Sequence, residues 1–505
     1  MTTKTQAHSA LESSRILGIR RGIEKESLRV RSDGTLADSP HPLALGSALT
    51  HPHITTDFSE SQVELITGVH GDISTCLQEL REVHQFTERA LGEDMLWVSS
   101  MPCDLPQDEA IPLGQYGSSN VGRAKTVYRM GLGHRYGRRM QTISGIHYNW
   151  SMPDVSSDAY FGLIRNFRRN AFVLMYLFGA SPTVCSSFVA GREHRLQKLS
   201  DDTLYLPHAT SLRMGRLGYQ SDAQASLAVS YNSLKGYGDS LEDALTRNYP
   251  AYEAIGVRGE DGQYRQLATT LLQIENEFYG TIRPKRVIRP GERPLHALRQ
   301  RGVEYVEVRL MDLNPFEALG IHAQTLRFLD LFLSYCLVSE SPSDTPQEIA
   351  AIANNQHLVA ERGREPGLQL QRGDSTVSLL DWGQEVVLAL RPLADQFDAA
   401  HGGRNYSDAV DAAMQGFSQP QTLPSARVIE SVQREHGGSF AGFVKAQSER
   451  TKMEMLESAL GPQALARLEQ QADESIRALQ AIEAADTVPF DAYLQDYLAF
   501  RQLLA

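Results

Sequence analysis

The sequence predicts an α+β protein whose sheet is antiparallel, and two observations support that class. Apolar and polar side chains alternate along residues 143–152 and 304–316, which is typical of strands that pack one face and leave the other polar. Helical periodicity is clear in other parts of the chain. The stretches that show it are 73–91, after a predicted Asp72 cap, 160–178, 323–337 and 461–485.

The length of 505 residues and the hydrophobic fraction of 41% suit one large globular body. Turn-rich pieces at 339–346, 401–405 and 415–425 divide the last third of the chain. We therefore expect a single body over residues 1–505, with a core at about 15–335 and a mainly helical C-terminal part at about 340–505.

The net charge of −12 argues against nucleic acid or an anionic membrane as the main partner, because both are themselves acidic. The N-terminus has no apolar signal core, and the longest apolar run, residues 171–178, is too short to cross a bilayer. We expect a cytoplasmic monomer whose partners are small molecules.

The four cysteines are Cys76, Cys103, Cys185 and Cys336, and they lie far apart in the sequence. They form no CxxC pair, and no histidine pair stands at a zinc spacing from them. We expect isolated, reduced and mostly buried thiols. No cysteine is assigned a role.

The segment RGIEKESLRV, from Arg21 to Val30, raises the question whether Glu24 and Glu26 act together. A turn signal follows the segment and favours a strand. In a strand, residues two apart share a face at about 7 Å, whereas in a helix they point away from each other. The strand interpretation turns both carboxylates toward one side, which is either a cleft or open solvent.

Residues 143–152, ISGIHYNWSM, place Ile146, Tyr148 and Trp150 on one face of a predicted strand. The other face carries His147, between a glycine and an asparagine. A single histidine in a strand is usually structural, but this one lies on the polar side, where a ligand has access.

Residues 304–316, EYVEVRLMDLNPF, repeat the pattern, with Val306 and Val308 on one face and Glu307 and Arg309 on the other. For one strand taken alone, a solvated ion pair is the commoner arrangement. Three such strands weaken that interpretation.

Residues 57–67, DFSESQVELIT, contribute a further carboxylate, Glu64. If this stretch is a strand, Glu64 shares a face with Gln62 and Ile66. If it is a helix, Glu64 neighbours Glu60 instead.

The polar faces of these segments together offer four carboxylates and one imidazole. The residues are Glu24, Glu26, Glu64, His147 and Glu307. Such an oxygen-rich set suits magnesium or manganese and is poor for structural zinc. A divalent cation also explains how unpaired carboxylates coexist on one sheet, since they would otherwise repel each other.

A hard cation beside an arginine suits phosphoryl transfer from a nucleotide, and Arg309 fits that arginine. The sequence contains no Walker A motif and no dinucleotide fingerprint, which leaves a nucleotide site on an antiparallel sheet. The basic stretch 283–301 sets Lys285 and Arg286 shortly before the Glu307 strand. These side chains either contact phosphates or are solvated loop charges.

Long motifs across the chain closely resemble the proteobacterial type of glutamate–cysteine ligase, also called γ-glutamylcysteine synthetase. The resemblance covers nearly the whole chain, although the C-terminal third is less diagnostic. The motifs are RGIEKESLRV, LGSALTHPHITTDFSE, QYGSSNVGRAKTVYRMGL, MQTISGIHYN, YLFGASP, ATSLRM with LGY, LQIENEFY with IRPKR, EYVEVRLMDLNPF and AADTVPF.

The resemblance implies a glutamine-synthetase-like core, in which an antiparallel sheet curves into a funnel with helices outside. It implies that ATP phosphorylates the γ-carboxylate of glutamate, and that the amino group of cysteine then displaces the phosphate. This reaction is the first step of glutathione biosynthesis. The implied cofactors are ATP and Mg²⁺, with Mn²⁺ as an alternative.

The resemblance also assigns roles to individual residues. Glu24, Glu26, Glu64, His147 and Glu307 fall on the metal-ligand positions of the family, and Arg309 falls on its phosphate-contacting arginine. Arg213 falls on an arginine expected to hold a substrate carboxylate, for which a guanidinium is well suited. The positions that resemble the cysteine pocket are Phe58, Tyr128, Leu132, Gln141 and Tyr219.

Three alternatives remain open from the sequence. The first is a ligase that joins glutamate to a different amine, because pockets discriminate modestly between near isosteres. The second is an inverting glycoside hydrolase that uses Glu24 and Glu26, whose separation of about 7 Å lies in the inverting range. The third is a binding or scaffold protein without turnover.

Overall fold

The computed structural model describes residues 11–218, 223, 227 and 229–504, and its centre is a seven-stranded antiparallel sheet. Six strands follow the order β2-β3-β1-β5-β10-β9, and β4 pairs with one end of β1. The strands are β1 (Arg20–Val30), β2 (Ile54–Thr56), β3 (Gln62–Ile66), β4 (Met95–Leu96), β5 (Ile146–Ser151), β9 (Ile282–Lys285) and β10 (Tyr305–Met311).

The long strand β1 carries different chemistry on its two faces. Glu24 and Glu26 share one face, as the strand interpretation of this segment predicts. On the opposite face, Ile23, Lys25 and Ser27 are buried. Because the side-chain period of a strand is two, this alternation fixes which side of the sheet carries the two carboxylates.

Helices cover the apolar face of the sheet and surround it. The predicted helices at 73–91, 160–178, 323–337 and 461–485 are all present, with ends that differ by a few residues. The helices are α1 (Ser13–Leu17), α2 (Ile73–Ala90), α3 (Asn120–Tyr136), α4 (Ser157–Phe178), α5 (Leu234–Thr246), α6 (Pro250–Ile255), α7 (Pro294–Arg301), α8 (Ala323–Val338), α9 (Pro346–Arg362), α10 (Leu379–Ala389), α11 (Arg391–His401), α12 (Asn405–Ser418), α13 (Pro424–Arg434), α14 (Phe440–Glu457), α15 (Pro462–Ala485) and α16 (Phe490–Tyr497).

Local sequence explains how several of these helices begin and where they lie. The Asp72 side chain accepts a hydrogen bond from the backbone N–H of Thr75, which confirms the predicted cap of α2. In α4, residues 171–177 are all buried. A helical segment that is apolar on every side belongs in the interior, as the sequence predicts.

The C-terminal part packs on the body through α12 against α8 and through α14 and α15 against α2. The AADTVPF motif makes a specific contact: Asn120, the first residue of α3, donates to Asp486 Oδ1 (2.6 Å) and to the Val488 carbonyl (2.7 Å). The Arg123 guanidinium lies 4.2 Å from the centre of the Phe490 ring. The division into a core and a helical part remains a prediction.

A disulfide at a small three-stranded sheet shows that the prediction of four reduced cysteines is wrong in part. The sheet contains β6 (Thr183–Cys185), β7 (Gln197–Lys198) and β8 (Thr203–Tyr205) in the order β6-β8-β7. Cys103 and Cys185 form a disulfide with a Cα–Cα distance of 5.2 Å. The two cysteines are 82 residues apart, so no local sequence pattern indicates that they pair. Cys76 and Cys336 are free and buried, as expected.

A short hairpin of β11 (Gln369–Arg372) and β12 (Ser375–Ser378) forms a separate two-stranded sheet. Within the described ranges, no helix combines the length and the apolar composition that crossing a bilayer requires.

Candidate active site

The register of four neighbouring strands brings the predicted metal ligands to one face of the sheet. Glu26 on β1 lies directly opposite Glu64 on β3, and Glu24 lies opposite His147 on β5. Asn149, two residues along β5, lies opposite Glu307 on β10. All five predicted ligands therefore meet, and the helical alternative for residues 57–67 is wrong.

The His147 ring lies at the centre of this group. Its Nδ1 is 3.0 Å from Glu24 Oε2 and 3.8 Å from Glu307 Oε1, and its Nε2 is 3.4 Å from Glu26 Oε1. One ligand atom from each of Glu24, Glu64 and His147 lies within 4.8 Å of the others. That spacing allows several donors to reach one cation.

The electrostatics of this face separate the carboxylates into two kinds. Burial, together with the neighbouring Glu24, Asp57 and Glu26, raises the pKa of Glu64 well above its ordinary value. Burial also acts on Glu307, but Lys285, Arg309 and His147 outweigh it and hold the pKa of Glu307 well below its ordinary value. Positive charge is therefore concentrated at the β10 side of the site.

The remaining two carboxylates are shifted in opposite directions. Burial would raise the pKa of Glu24, but its hydrogen bond with His147 leaves that pKa below the ordinary value. Burial raises the pKa of Glu26, although His147, Arg213 and Arg309 act against the shift. A bound cation would therefore stabilise the ionised carboxylates most at the β3 side of the site.

The residues present fit a hard divalent cation. Four carboxylates and one imidazole offer mainly oxygen donors. Glu307 Oε2 is buried and accepts no hydrogen bond from any described residue. A buried carboxylate oxygen without a hydrogen-bond donor is costly unless a cation approaches it. Glu24, Glu64 and His147 are close enough to share one such ion, and Glu26 and Glu307, both near His147, complete the set of residues that would hold divalent cations here.

Of the predicted phosphate-contacting cations, two lie at the site and one does not. Arg309 Nη1 is 3.1 Å from Glu307 Oε1, and Lys285 Nζ is 3.5 Å from the same oxygen. Arg286 instead donates to the Arg301 carbonyl at 2.9 Å and pairs with Glu304 at 3.3 Å. Because these partners turn it away from the acidic face, the structure does not group Arg286 with the other two.

A cavity of about 180 Å³ adjoins this face, and Arg213 and Arg309 both line it. Arg213 is only 2% exposed, and its Nη2 donates to the Arg309 carbonyl at 2.9 Å. The guanidinium rests on Gly145, where an added Cβ would lie 2.0 Å from Nη2. Gly145 also donates its N–H to Glu26 Oε2 at 2.7 Å. Arg213 is therefore fixed beside the acidic face.

The predicted cysteine-pocket residues divide into an apolar group and a polar one. Phe58 and Leu132 are buried in one hydrophobic cluster, and Tyr128 packs against it. Gln141 donates to the Tyr279 hydroxyl at 2.8 Å, and Tyr279 lines the cavity with Arg213. The remaining predicted residue, Tyr219, lies outside the described residues.

Sequence reasoning missed two residues at this site. Tyr279 stands in LQIENEFY and joins Gln141 to the cavity. Asp57 stands in DFSE. Burial is the main cause that raises the pKa of Glu26, of Glu64 and of the Tyr279 hydroxyl, and the nearby Asp57 carboxylate raises all three further. Both lie inside motifs that resemble the ligase family, which is the signal that could have found them.

Comparisons with known proteins show which family the chain resembles. The family model described as glutamate–cysteine ligase matches residues 5–359. A glutamate–cysteine ligase of Alcanivorax borkumensis is 48% identical over 504 residues, covering 95% of this chain and 96% of the relative.

Two solved structures are also similar. The crystal structure of glutamate–cysteine ligase from Francisella tularensis in complex with AMP has a TM-score of 0.91 at 37% identity, covering 95% of this chain and 97% of that one. A bifunctional glutathione synthetase from Pasteurella multocida has a TM-score of 0.70 at 26% identity, covering 89% of this chain and 54% of that one.

The fold and the acidic face of its sheet define an enzyme of the ligase class, and the predicted α+β, glutamine-synthetase-like architecture is confirmed. The two alternatives of a glycoside hydrolase and of a scaffold without turnover are therefore wrong. More narrowly, the chain belongs to the glutamate–cysteine ligase family.

Proposed function

We propose that this protein joins the γ-carboxylate of glutamate to the amino group of cysteine, with cleavage of ATP to ADP and phosphate, the first step of glutathione biosynthesis. A γ-carboxylate oxygen attacks the terminal phosphorus of ATP, and ADP leaves. The cysteine nitrogen then attacks the resulting acyl phosphate, loses a proton and expels inorganic phosphate. Phosphorylation converts the carboxylate oxygen into a leaving group.

The acidic sheet face supports a phosphoryl-transfer site. Glu24, Glu26, Glu64, His147 and Glu307 are proposed to hold Mg²⁺, or alternatively Mn²⁺. When bound, such an ion neutralises phosphate charge and orients the transferring group. The opposed carboxylates Glu26 and Glu64 support this proposal, because burial and then the negative charge of neighbouring carboxylates raise the pKa of Glu64, and a cation would offset that charge.

Arg309 and Lys285 are proposed to stabilise the charge of the transferring phosphoryl group. Both contact Glu307 Oε1, at 3.1 Å and 3.5 Å. Each therefore has a fixed position before substrate arrives. Preorganised cations cost no reorganisation at the moment of reaction.

Arg213 is proposed to bind the carboxylate of an amino-acid substrate. It is buried at the edge of the cavity, where a guanidinium pairs strongly with a carboxylate. Phe58, Tyr128, Leu132 and Gln141 are proposed to surround the cysteine side chain, with Tyr219 as a further candidate. An apolar wall with one amide suits a small thiol.

The single observation that carries this proposal is the convergence of the five predicted ligands from four strands on one sheet face. The direct test is coupled ADP release, with glutamate and cysteine each omitted in turn. We expect release to require both substrates. Equal release with 2-aminobutyrate or simple amines would favour a ligase with a different amine substrate, and release without glutamate would contradict the proposal.

The oligomeric state and the location expected from the sequence are also proposals. We expect a monomer that acts on small molecules in the cytoplasm. Sedimentation at micromolar concentration tests the oligomeric state, and fractionation of cells tests the location.

A further inference from the structure

We propose that the buried carboxylate of Asp312, with the hydroxyls of Ser181 and Ser211, is a positioning group that holds the Arg213 guanidinium at the cavity. The proposal rests on the substrate-carboxylate role proposed above for Arg213. It also gives a role to the YLFGASP motif, to which Ser181 belongs and which the reaction does not otherwise use.

Asp312 follows the last residue of β10, the strand that carries Glu307 and Arg309. It is 4% exposed. Its Oδ2 accepts from the Ala180 N–H at 2.8 Å and from Ser181 Oγ at 2.7 Å, and its Oδ1 accepts from Ser211 Oγ at 3.0 Å. A buried carboxylate with several donors has one well-defined orientation.

The two serines connect Asp312 to the short turn that carries Arg213. This turn is the 3₁₀ helix Leu212–Met214, and Ser211 Oγ caps it by accepting from the Met214 N–H at 3.3 Å. The Leu212 N–H donates to the Ser181 carbonyl at 2.7 Å. Two segments distant in sequence are therefore held against each other and against the end of β10.

The Arg213 guanidinium is oriented by three features of this arrangement. Nη1 lies 4.0 Å from Asp312 Oδ1, Nη2 donates to the Arg309 carbonyl at 2.9 Å, and the plane rests on Gly145. Both groups of the ion pair are buried, at 2% and 0% side-chain exposure. A charge of opposite sign held at this distance restricts the direction in which a buried guanidinium points.

Asp330 provides a matched control on the other face of the sheet. It is also fully buried, and it also combines an arginine partner with hydroxyl donors: Arg21 Nη2 at 2.8 Å and Tyr148 Oη at 2.7 Å. No described contact joins it to Arg213. If both buried aspartates were purely structural, Asp312→Asn and Asp330→Asn should change the thermal midpoint and the Michaelis constants in the same way.

The test is steady-state kinetics of the full chain, with Michaelis constants for glutamate, cysteine and ATP and the thermal midpoint of each variant. We expect Asp312→Asn to raise the Michaelis constant of one amino-acid substrate about tenfold, since the coupling energy of residues in contact is of this size. The Michaelis constant of ATP should stay within about twofold of the normal value. Asp330→Asn should lower the thermal midpoint without this selective change. In an Arg213→Ala background, Asp312→Asn should add nothing further to the amino-acid constant.

Ser211→Ala is the milder variant and decides the matter if Asp312→Asn does not fold. Its control is Ser448→Ala, another buried serine whose hydroxyl accepts a backbone N–H. We expect about a threefold rise in the same constant for Ser211→Ala only. Unchanged amino-acid constants, or an undiminished effect without Arg213, would overturn the positioning role. If Arg213→Ala itself left both amino-acid constants unchanged, the proposed role of Arg213 would fail first.

Discussion

Glu24 and His147 occupy directly opposed positions on β1 and β5, and Glu24 Oε2 lies 3.0 Å from His147 Nδ1. The two residues are 123 apart in the sequence, so only the strand register brings them together. A shift of either strand by one residue would send one of the two side chains to the opposite face. The site therefore depends directly on the pairing of the sheet.

Glu307→Gln should reduce ADP release about a hundredfold, because it removes a carboxylate from the proposed metal site, where even an outer partner of a ligand is worth about 10–100-fold. The change preserves side-chain volume, so the fold and the circular dichroism spectrum should be retained. The measurement is ADP release with saturating glutamate and cysteine across a range of magnesium concentrations.

The control for this substitution is Glu304→Gln, just before the same strand. Glu304 is half exposed and pairs with Arg286, away from the acidic face. We expect near-normal turnover from it. Normal turnover of Glu307→Gln at high magnesium would argue against the assignment of Glu307.

Gly145→Ala should raise the Michaelis constant of an amino-acid substrate about tenfold, because the new Cβ would lie 2.0 Å from Arg213 Nη2 and must displace it. The cost of such overpacking is about 1–3 kcal/mol. Gly461→Ala is the control, since a Cβ there meets no atom within 4 Å. If Gly145→Ala kept normal kinetics, the fixed position of Arg213 would not matter for binding.

Lys25→Met should change how stability depends on pH. Lys25 is 1% exposed and donates to Ser27 Oγ at 2.8 Å, and burial lowers its pKa to about 8 despite the nearby Glu88. Between about pH 8 and the unfolded value near 10.4, the unfolded chain binds more protons than the native one. The contribution of Lys25 to stability therefore rises with pH across this window.

The measurement is the thermal midpoint of both proteins at several values between about pH 7.5 and 10, a range that spans most of this window. We expect the midpoint of the unsubstituted protein to rise relative to that of Lys25→Met, by on the order of a few degrees. Lys235→Met, at an exposed lysine of α5, should not change the slope. Parallel curves for Lys25→Met and the unsubstituted protein would contradict the buried charge.

Cys103→Ser should lower the free energy of unfolding by about 2–4 kcal/mol, because the disulfide closes a loop of 82 residues. The double substitution with Cys185→Ser should cost little more, since either change removes the same bond. Thiol titration of the unfolded, unreduced protein should count two thiols, Cys76 and Cys336. Four reactive thiols would show that the bond does not form.

The polar strand faces could be predicted from the sequence because alternation is a local property. Residues 143–152 and 304–316 display it directly, and in β1 the pair Glu24 and Glu26 follows from the strand period alone. The buried part of α4 was equally accessible, since a helical segment that is apolar on all sides is stable only in the interior.

Contacts between distant segments could not be predicted in this way. Ser211 and Asp312 are 101 residues apart, and nothing local marks them as partners. Helix α3 is not among the predicted helices, because Arg123, Arg129 and Arg135, spaced six residues apart, place cations on three different sides of it. Those cations are accommodated by tertiary partners, among them Glu277, which pairs with Arg135 at 2.8 Å.

The most direct test of the converging carboxylates is manganese binding measured by electron paramagnetic resonance on the purified protein. The unsubstituted protein should bind Mn²⁺, and Glu64→Gln and Glu24→Gln should each weaken binding at least about tenfold, whereas Glu304→Gln should not. Equal Mn²⁺ affinity in all four proteins would contradict a metal site on this face of the sheet.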